Sequence, residues 1–86
     1  MPDRAQSPGQ SVKDCPFFLS PRERQSLQLA AQGHTSKGIA LELAIAEQTA
    51  KNYLRQARAK LFAFNTTHAV AIAVAVGLIE IETYKV

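Results

Sequence analysis

Residues 36–62 read SKGIALELAIAEQTAKNYLRQARAKLF. Within this stretch Ala50, Leu54, Ala57 and Leu61 recur at i, i+4, i+7 and i+11, one continuous apolar face on a helix spanning Glu47–Phe62. Gln48, Lys51, Asn52, Arg55 and Arg58 fall on the opposite side. Ahead of it the spacing predicts a shorter helix over Ser36–Leu43, with Ile39, Ala40 and Leu43 turned inward. Gly38 within that helix is about 1 kcal/mol less favourable than alanine. Ala44, Ile45 and Ala46 make the connection, and Ile45 is expected to fill the angle between the two helices. A short helix, a three-residue turn and a longer helix with one apolar and one basic face make a helix-turn-helix.

On the N-terminal side, Ser20-Pro21-Arg22-Glu23 places a capping serine, a proline at the first helical position and a glutamate three residues after the cap. In such a capping box the two side chains satisfy each other's free backbone N–H groups. Leu27, Ala30 and Ala31 continue this helix as a narrow apolar stripe, and Gly33 ends it. Residues 1–18 carry three prolines, one glycine and no periodicity, so they are expected to form a disordered arm. On the C-terminal side Thr66 is read as the N-cap of a fourth helix over His68–Val76, closed by Gly77. The expected organisation is an all-α, four-helix domain over residues 19–80, an arm over 1–18 and a C-terminal tail over 81–86.

At 86 residues the chain holds one domain, and a domain this small is marginal without help from a partner. No stretch has the alternating Val, Ile and Thr of strands. Net charge is +3, and the placement of the cations says more than their sum. Between Ser20 and Asn65 stand seven cations, Arg22, Arg24, Lys37, Lys51, Arg55, Arg58 and Lys60, and four of them fall within 47–62. Such clustering on one helix is the footprint of a phosphate-binding element; the plain alternative is a solvated helix face. Cys15 is the only cysteine and is read as an incidental thiol, which excludes a disulfide framework and a thiolate zinc site. His34 and His68 have no second ligand at metal spacing and are read as loop or surface histidines, so no metal or cofactor is expected. No catalytic set is visible, and an enzyme is not expected. No signal peptide is expected at the start of the chain, and the apolar stretch Ala69–Ile79 is too short to span a membrane, so a cytoplasmic location is expected.

Lys51, Arg55 and Arg58 lie at i, i+4 and i+7 and form one ridge. Arginine pairs bidentately with guanine and asparagine with adenine. Arg55 and Asn52 are therefore the better base readers, while Lys51 serves a base or a phosphate. Arg58 and Lys60 sit further along, where a helix inserted in the groove leaves the bases, and are assigned to phosphates together with Lys37 and Gln48.

The stretch Leu19–Ile79 resembles the DNA-binding domain of LuxR-type regulators, also called the FixJ or GerE type. The resemblance is carried by Leu19, Ser20, Arg22 and Glu23, then Ala31 and Gly33, Ile39 and Ala40, Thr49 and Lys51, Lys60 and Leu61, and finally Ala69, Val70, Gly77, Leu78 and Ile79. It implies a third helix that enters the major groove of double-stranded DNA and a fourth helix that forms a dimer contact. Positions matching Lys51, Asn52 and Arg55 face base edges in such proteins, and those matching Thr49 and the flanking basic residues hold phosphates. The chain departs from the pattern at Ala46, where a serine caps the recognition helix, and at Ser26, Gly38, Ala50, Tyr53 and Thr66.

The fourth helix adds an expectation of its own. From Ala69 to Ile79 no side chain is charged, and a helix that is apolar all round is normally buried. Ile72, Val76 and Ile79 share one side while Val70 and Val74 lie on another. A homodimer is expected, with Val70, Ala71, Ala73 and Val74 at the interface. The leading reading is a sequence-specific transcriptional regulator. The runner-up is a module that keeps the fold but regulates by pairing with another transcriptional regulator.

Overall fold

The computed structural model describes residues 18–81. The predicted arm, except for Phe18, and Cys15 lie outside the described residues, as does the predicted tail beyond Ile81. Four helices follow one another: α1 (Pro21–Ala31), α2 (Ser36–Leu43), α3 (Glu47–Lys60) and α4 (Thr66–Ala75). No strand occurs among the described residues.

Three of the four helix starts carry a side-chain cap. Ser20 Oγ accepts from the Glu23 N–H at 3.2 Å while Glu23 Oε1 accepts from the Ser20 N–H at 2.9 Å, the complete capping box. Thr35 Oγ1 accepts from Gly38 N–H at 3.2 Å. The cap of α4 is Asn65, whose Oδ1 accepts from His68 N–H at 2.8 Å. This corrects the expectation for Thr66, which is the first helical residue instead; the asparagine one position earlier reaches the third amide of the turn with ideal spacing.

The exception is α3. Ala46 stands at its N-cap with φ −71° and ψ 149°, an extended geometry close to those of Ser20 and Thr35, and offers no hydrogen bond. Ala46→Ser is therefore expected to stabilise the domain by about 1 kcal/mol, raising its melting temperature by roughly 4–8 °C. Thermal unfolding with and without the substitution checks this. An unchanged midpoint would mean that the first amides of α3 already have acceptors.

All four helices end in the same way, with a carbonyl receiving an N–H from five residues on: His34 to Leu29, Ile45 to Ala40, Ala63 to Arg58 and Leu78 to Ala73. Each closure needs one residue in the left-handed region. Gly33 and Gly77 take it at two of the ends, but Ala44 (φ 56°) and Phe62 (φ 57°) take it at the others. A side chain in that region costs about 1–2 kcal/mol. Phe62 thus stops α3 at Lys60, two residues before the predicted end, and no glycine announces the stop.

The core runs through the middle of the four-helix stack. Leu27 of α1, Ile39 of α2, Ala50 and Ala57 of α3, and Ala69 and Ala73 of α4 are all fully buried. α3 packs against each of the other helices, and α1 also contacts α2 and α4. The predicted inner face of α3 is the observed one, while Ile45 is half-buried against the core. After α4 the chain turns so that Ile79 caps the core, and Gln28 of α1 holds the Glu80 backbone through both its N–H and its carbonyl.

The inner face of α4 differs from expectation. The small residues Ala69 and Ala73 lie inward, Ile72 is half-buried and Val76 is exposed. α4 therefore approaches the core closely through alanines, and its branched side chains flank the contact. Ala73 is accordingly withdrawn from the predicted dimer contact, because it is fully buried within its own domain.

Candidate nucleic-acid interface

The outward side of α3 begins with Glu47 and Gln48. Lys51 Nζ lies 3.8 Å from Glu47 Oε2, one helical turn back, with both side chains about half exposed. A pair this loose and wet holds Lys51 weakly, so the ammonium can exchange Glu47 for another anion. Gln48 Nε2 donates to Asn52 Oδ1 at 3.1 Å. This contact leaves the Asn52 amide its second lone pair and both N–H donors. Arg55 is exposed one turn further on, Thr49 and Asn52 are half-buried, and Lys37 is exposed at the second position of α2.

Lys51, Arg55 and Arg58 also come together in space. With Ser36, Leu54 and Thr66 they line an open cleft of about 330 Å³. Ser36 is the first residue of α2 and Thr66 the first of α4. The cleft thus has α3 along its length and contains two helix starts, where amides without intrahelical acceptors favour anions. No acidic side chain is among these six. Arg58 is half-buried, and its Nε is fully buried without an acceptor. Ser36 and Thr66 were missed by sequence reasoning, which saw them only as residues near helix starts. Nothing in the local sequence places the beginning of α4 beside α3.

Lys60 does something else. Its Nζ lies 2.7 Å from Glu23 Oε1, a carboxylate that is only 4% exposed. Lys60, expected at a phosphate, has its ammonium on Glu23 in this structure, where it ties α3 to α1. Burial alone would push the Glu23 carboxyl up. The hydrogen bond from Lys60, that from the Ser20 backbone, the Lys60 charge and the Ser20 hydroxyl together hold it below the ordinary glutamate value.

On α4, Ala71 is exposed and Val70 and Val74 are half-buried. His68 sits in the first turn of α4, stacks on Phe64 at a centroid distance of 5.3 Å, and accepts the Phe64 N–H at Nδ1, 3.1 Å away. His34 is half-buried in the loop after α1, where its Nδ1 would lie 3.2 Å from a Cβ at Gly38. The glycine in α2 thus makes room for the imidazole. Among the described residues no group of three or more His, Cys, Asp or Glu side chains gathers as metal ligands, and no helix is long and apolar enough to cross a membrane.

Residues 18–73 match the family model of bacterial regulatory proteins, luxR family. The HTH-type quorum sensing-dependent transcriptional regulator RpaR of Rhodopseudomonas palustris is 49% identical over 63 residues, which cover 73% of this chain and 26% of that protein. The transcriptional regulatory protein YvfU of Bacillus subtilis is 46% identical over 55 residues, 64% of this chain and 28% of that protein. The chain spans about a quarter of the length of these curated relatives. Among solved structures, that of the transcription factor GerE superposes with a TM-score of 0.71 at 26% identity, covering 74% of this chain and 96% of GerE.

Proposed function

The chain belongs to the luxR family of bacterial regulatory proteins, and from that premise we propose that it is a sequence-specific transcriptional regulator acting in the cytoplasm. In this reading α3 enters the major groove of double-stranded DNA. Lys51, Asn52 and Arg55 read base edges, and Lys37, Gln48, Thr49 and Arg58 hold phosphates. The observation that carries the reading is the gathering of Lys51, Arg55 and Arg58 on one open face, in a cleft without a carboxylate. Clefts lined by one sign of charge focus the field and draw in the opposite charge.

The reading includes a homodimer through α4. Val70, Ala71 and Val74 leave an uncharged strip on that helix, and small residues let two backbones approach. Twofold symmetry would set two α3 helices about one DNA turn apart, roughly 34–36 Å, on a palindromic site. The test uses a duplex selected by binding from a random pool. Its affinity is expected to exceed that for an unrelated duplex and to fall with salt, each phosphate contact adding about 0.9 to the slope of log affinity against log salt. Sedimentation of the same complexes is expected to show two chains per duplex. A chain that ignores both duplexes at low salt would defeat the reading, and one chain per duplex would remove the dimer.

A second reading, pairing with another helical regulator instead of DNA, draws on the exposed Leu41 and Phe64, 75% and 88% accessible. It expects no duplex binding at any salt concentration.

A further inference from the structure

The cleft between the starts of α2 and α4 is more specific than a basic surface. Arg55 and Arg58 have no ion-pair partner among the described residues, and Lys51 has only its loose contact with Glu47. Three cations around one concavity repel one another unless an anion enters. Arg58 carries the sharpest imbalance, because its buried Nε lacks any acceptor, and a donor removed from water without a partner is costly.

The two helix starts supply donors of a second kind. Thr35 and Asn65 cap only the third amides of their helices, Gly38 and His68. Ahead of those amides lie Ser36 and Lys37 in α2, and Thr66 and Thr67 in α4, whose N–H groups have no acceptor within a helix. Ser36 and Thr66 themselves line the cleft, so two hydroxyls and two positive helix ends sit with the guanidinium of Arg58.

We propose that this cleft is a seat for a single phosphate diester of the DNA backbone, with Arg58, Ser36 and Thr66 as its polar contacts, while Lys51 and Arg55, which also line it, add their charge without a phosphate hydrogen bond of their own. The inference rests on the DNA-binding reading and adds α4 to the DNA-holding surface. The helix that offers a strip to a second copy then also grips the backbone, so pairing and DNA contact share one rigid element.

The probe is inorganic phosphate, titrated into the 86-residue chain at constant ionic strength against chloride and followed by amide chemical shifts. Saturable shifts are expected at Ser36, Lys37, Thr66 and Thr67, with loss of the response in Arg58→Gln. Thr66→Glu is the sharper variant. An acidic residue in the first turn suits the helix dipole, so the fold is retained, while the new carboxylate occupies the seat. It is expected to abolish the phosphate response, weaken duplex binding at least about tenfold and lower the salt slope by about one unit, with an unchanged or higher melting temperature. Shifts that chloride reproduces, or a wild-type phosphate response in Thr66→Glu, would overturn the seat. A chain that binds duplex but not phosphate overturns the seat alone. One that binds phosphate but not duplex overturns its assignment to DNA.

Discussion

Glu23→Ala is expected to destabilise the domain by about 2 kcal/mol, the scale of a charged hydrogen bond lost from a buried carboxylate whose partner Lys60 is itself partly exposed, and so to lower its melting temperature by roughly 8–16 °C. Two losses coincide in this one side chain. The Ser20 N–H loses its acceptor, which is the half of the capping box that Glu23 supplies, and the tie from α1 to Lys60 on α3 disappears. Glu23→Gln keeps the shape and an acceptor for Ser20 but removes the charge, so a smaller loss is expected. The two variants separate further with pH. The folded carboxyl titrates below its ordinary value of 4.5, so it binds its proton less readily in the folded chain than in the unfolded one. Its contribution is complete above the unfolded value and fades as pH falls through the lower folded value. Wild-type stability, measured by denaturant titration, is expected to drop as pH is lowered through and below this region. Glu23→Gln is expected to drop less steeply there. Parallel curves for the two proteins would remove the pair as the source of the acid sensitivity.

This pair also marks where the sequence stops being legible. The capping box is local, four consecutive residues whose geometry follows from their spacing, and both of its hydrogen bonds are present in the structure. The partner of Glu23 lies thirty-seven positions away, and no periodicity connects them. Lys60 therefore read as one more cation of the groove face, although its ammonium is turned to α1. The apolar face of α3 was legible for the same reason as the cap, since Ala50, Leu54, Ala57 and Leu61 sit at helical spacing and all four are buried. On α4 the rule lost its power. With apolar residues on every side, periodicity cannot say which face turns inward, and size decided instead: Ala69 and Ala73 allow the closest approach, which takes Ala73 out of the surface. The end of α3 was hidden because Phe62 occupies a left-handed position that glycine would have advertised. The cleft was hidden because it is made of three helices, two of which contribute only their first residues.

Arg55→Ala is expected to cost about 1–3 kcal/mol of specific DNA affinity, roughly five- to 150-fold, with the loss concentrated on one base pair. Arg55 stands between two different tasks. It shares the outer face of α3 with Asn52 and Lys51, where a guanidinium can meet the two acceptors of a guanine edge. It also lines the cleft with Arg58, where it would meet a phosphate. The two tasks leave different traces. Replacing a base reader by alanine flattens the preference at its position and leaves the salt slope nearly unchanged, with little effect on an unrelated duplex. Replacing a phosphate-holding side chain by alanine weakens every duplex alike and lowers the slope by about one unit. Arg55→Lys separates them again, because lysine keeps the charge but cannot form the paired hydrogen bonds of a guanidinium. The lysine variant is therefore expected to retain the wild-type salt slope while losing most of the base preference. If it keeps both slope and preference, while alanine weakens all sequences equally, Arg55 is itself a phosphate contact of the seat, and base reading falls to Lys51 and Asn52.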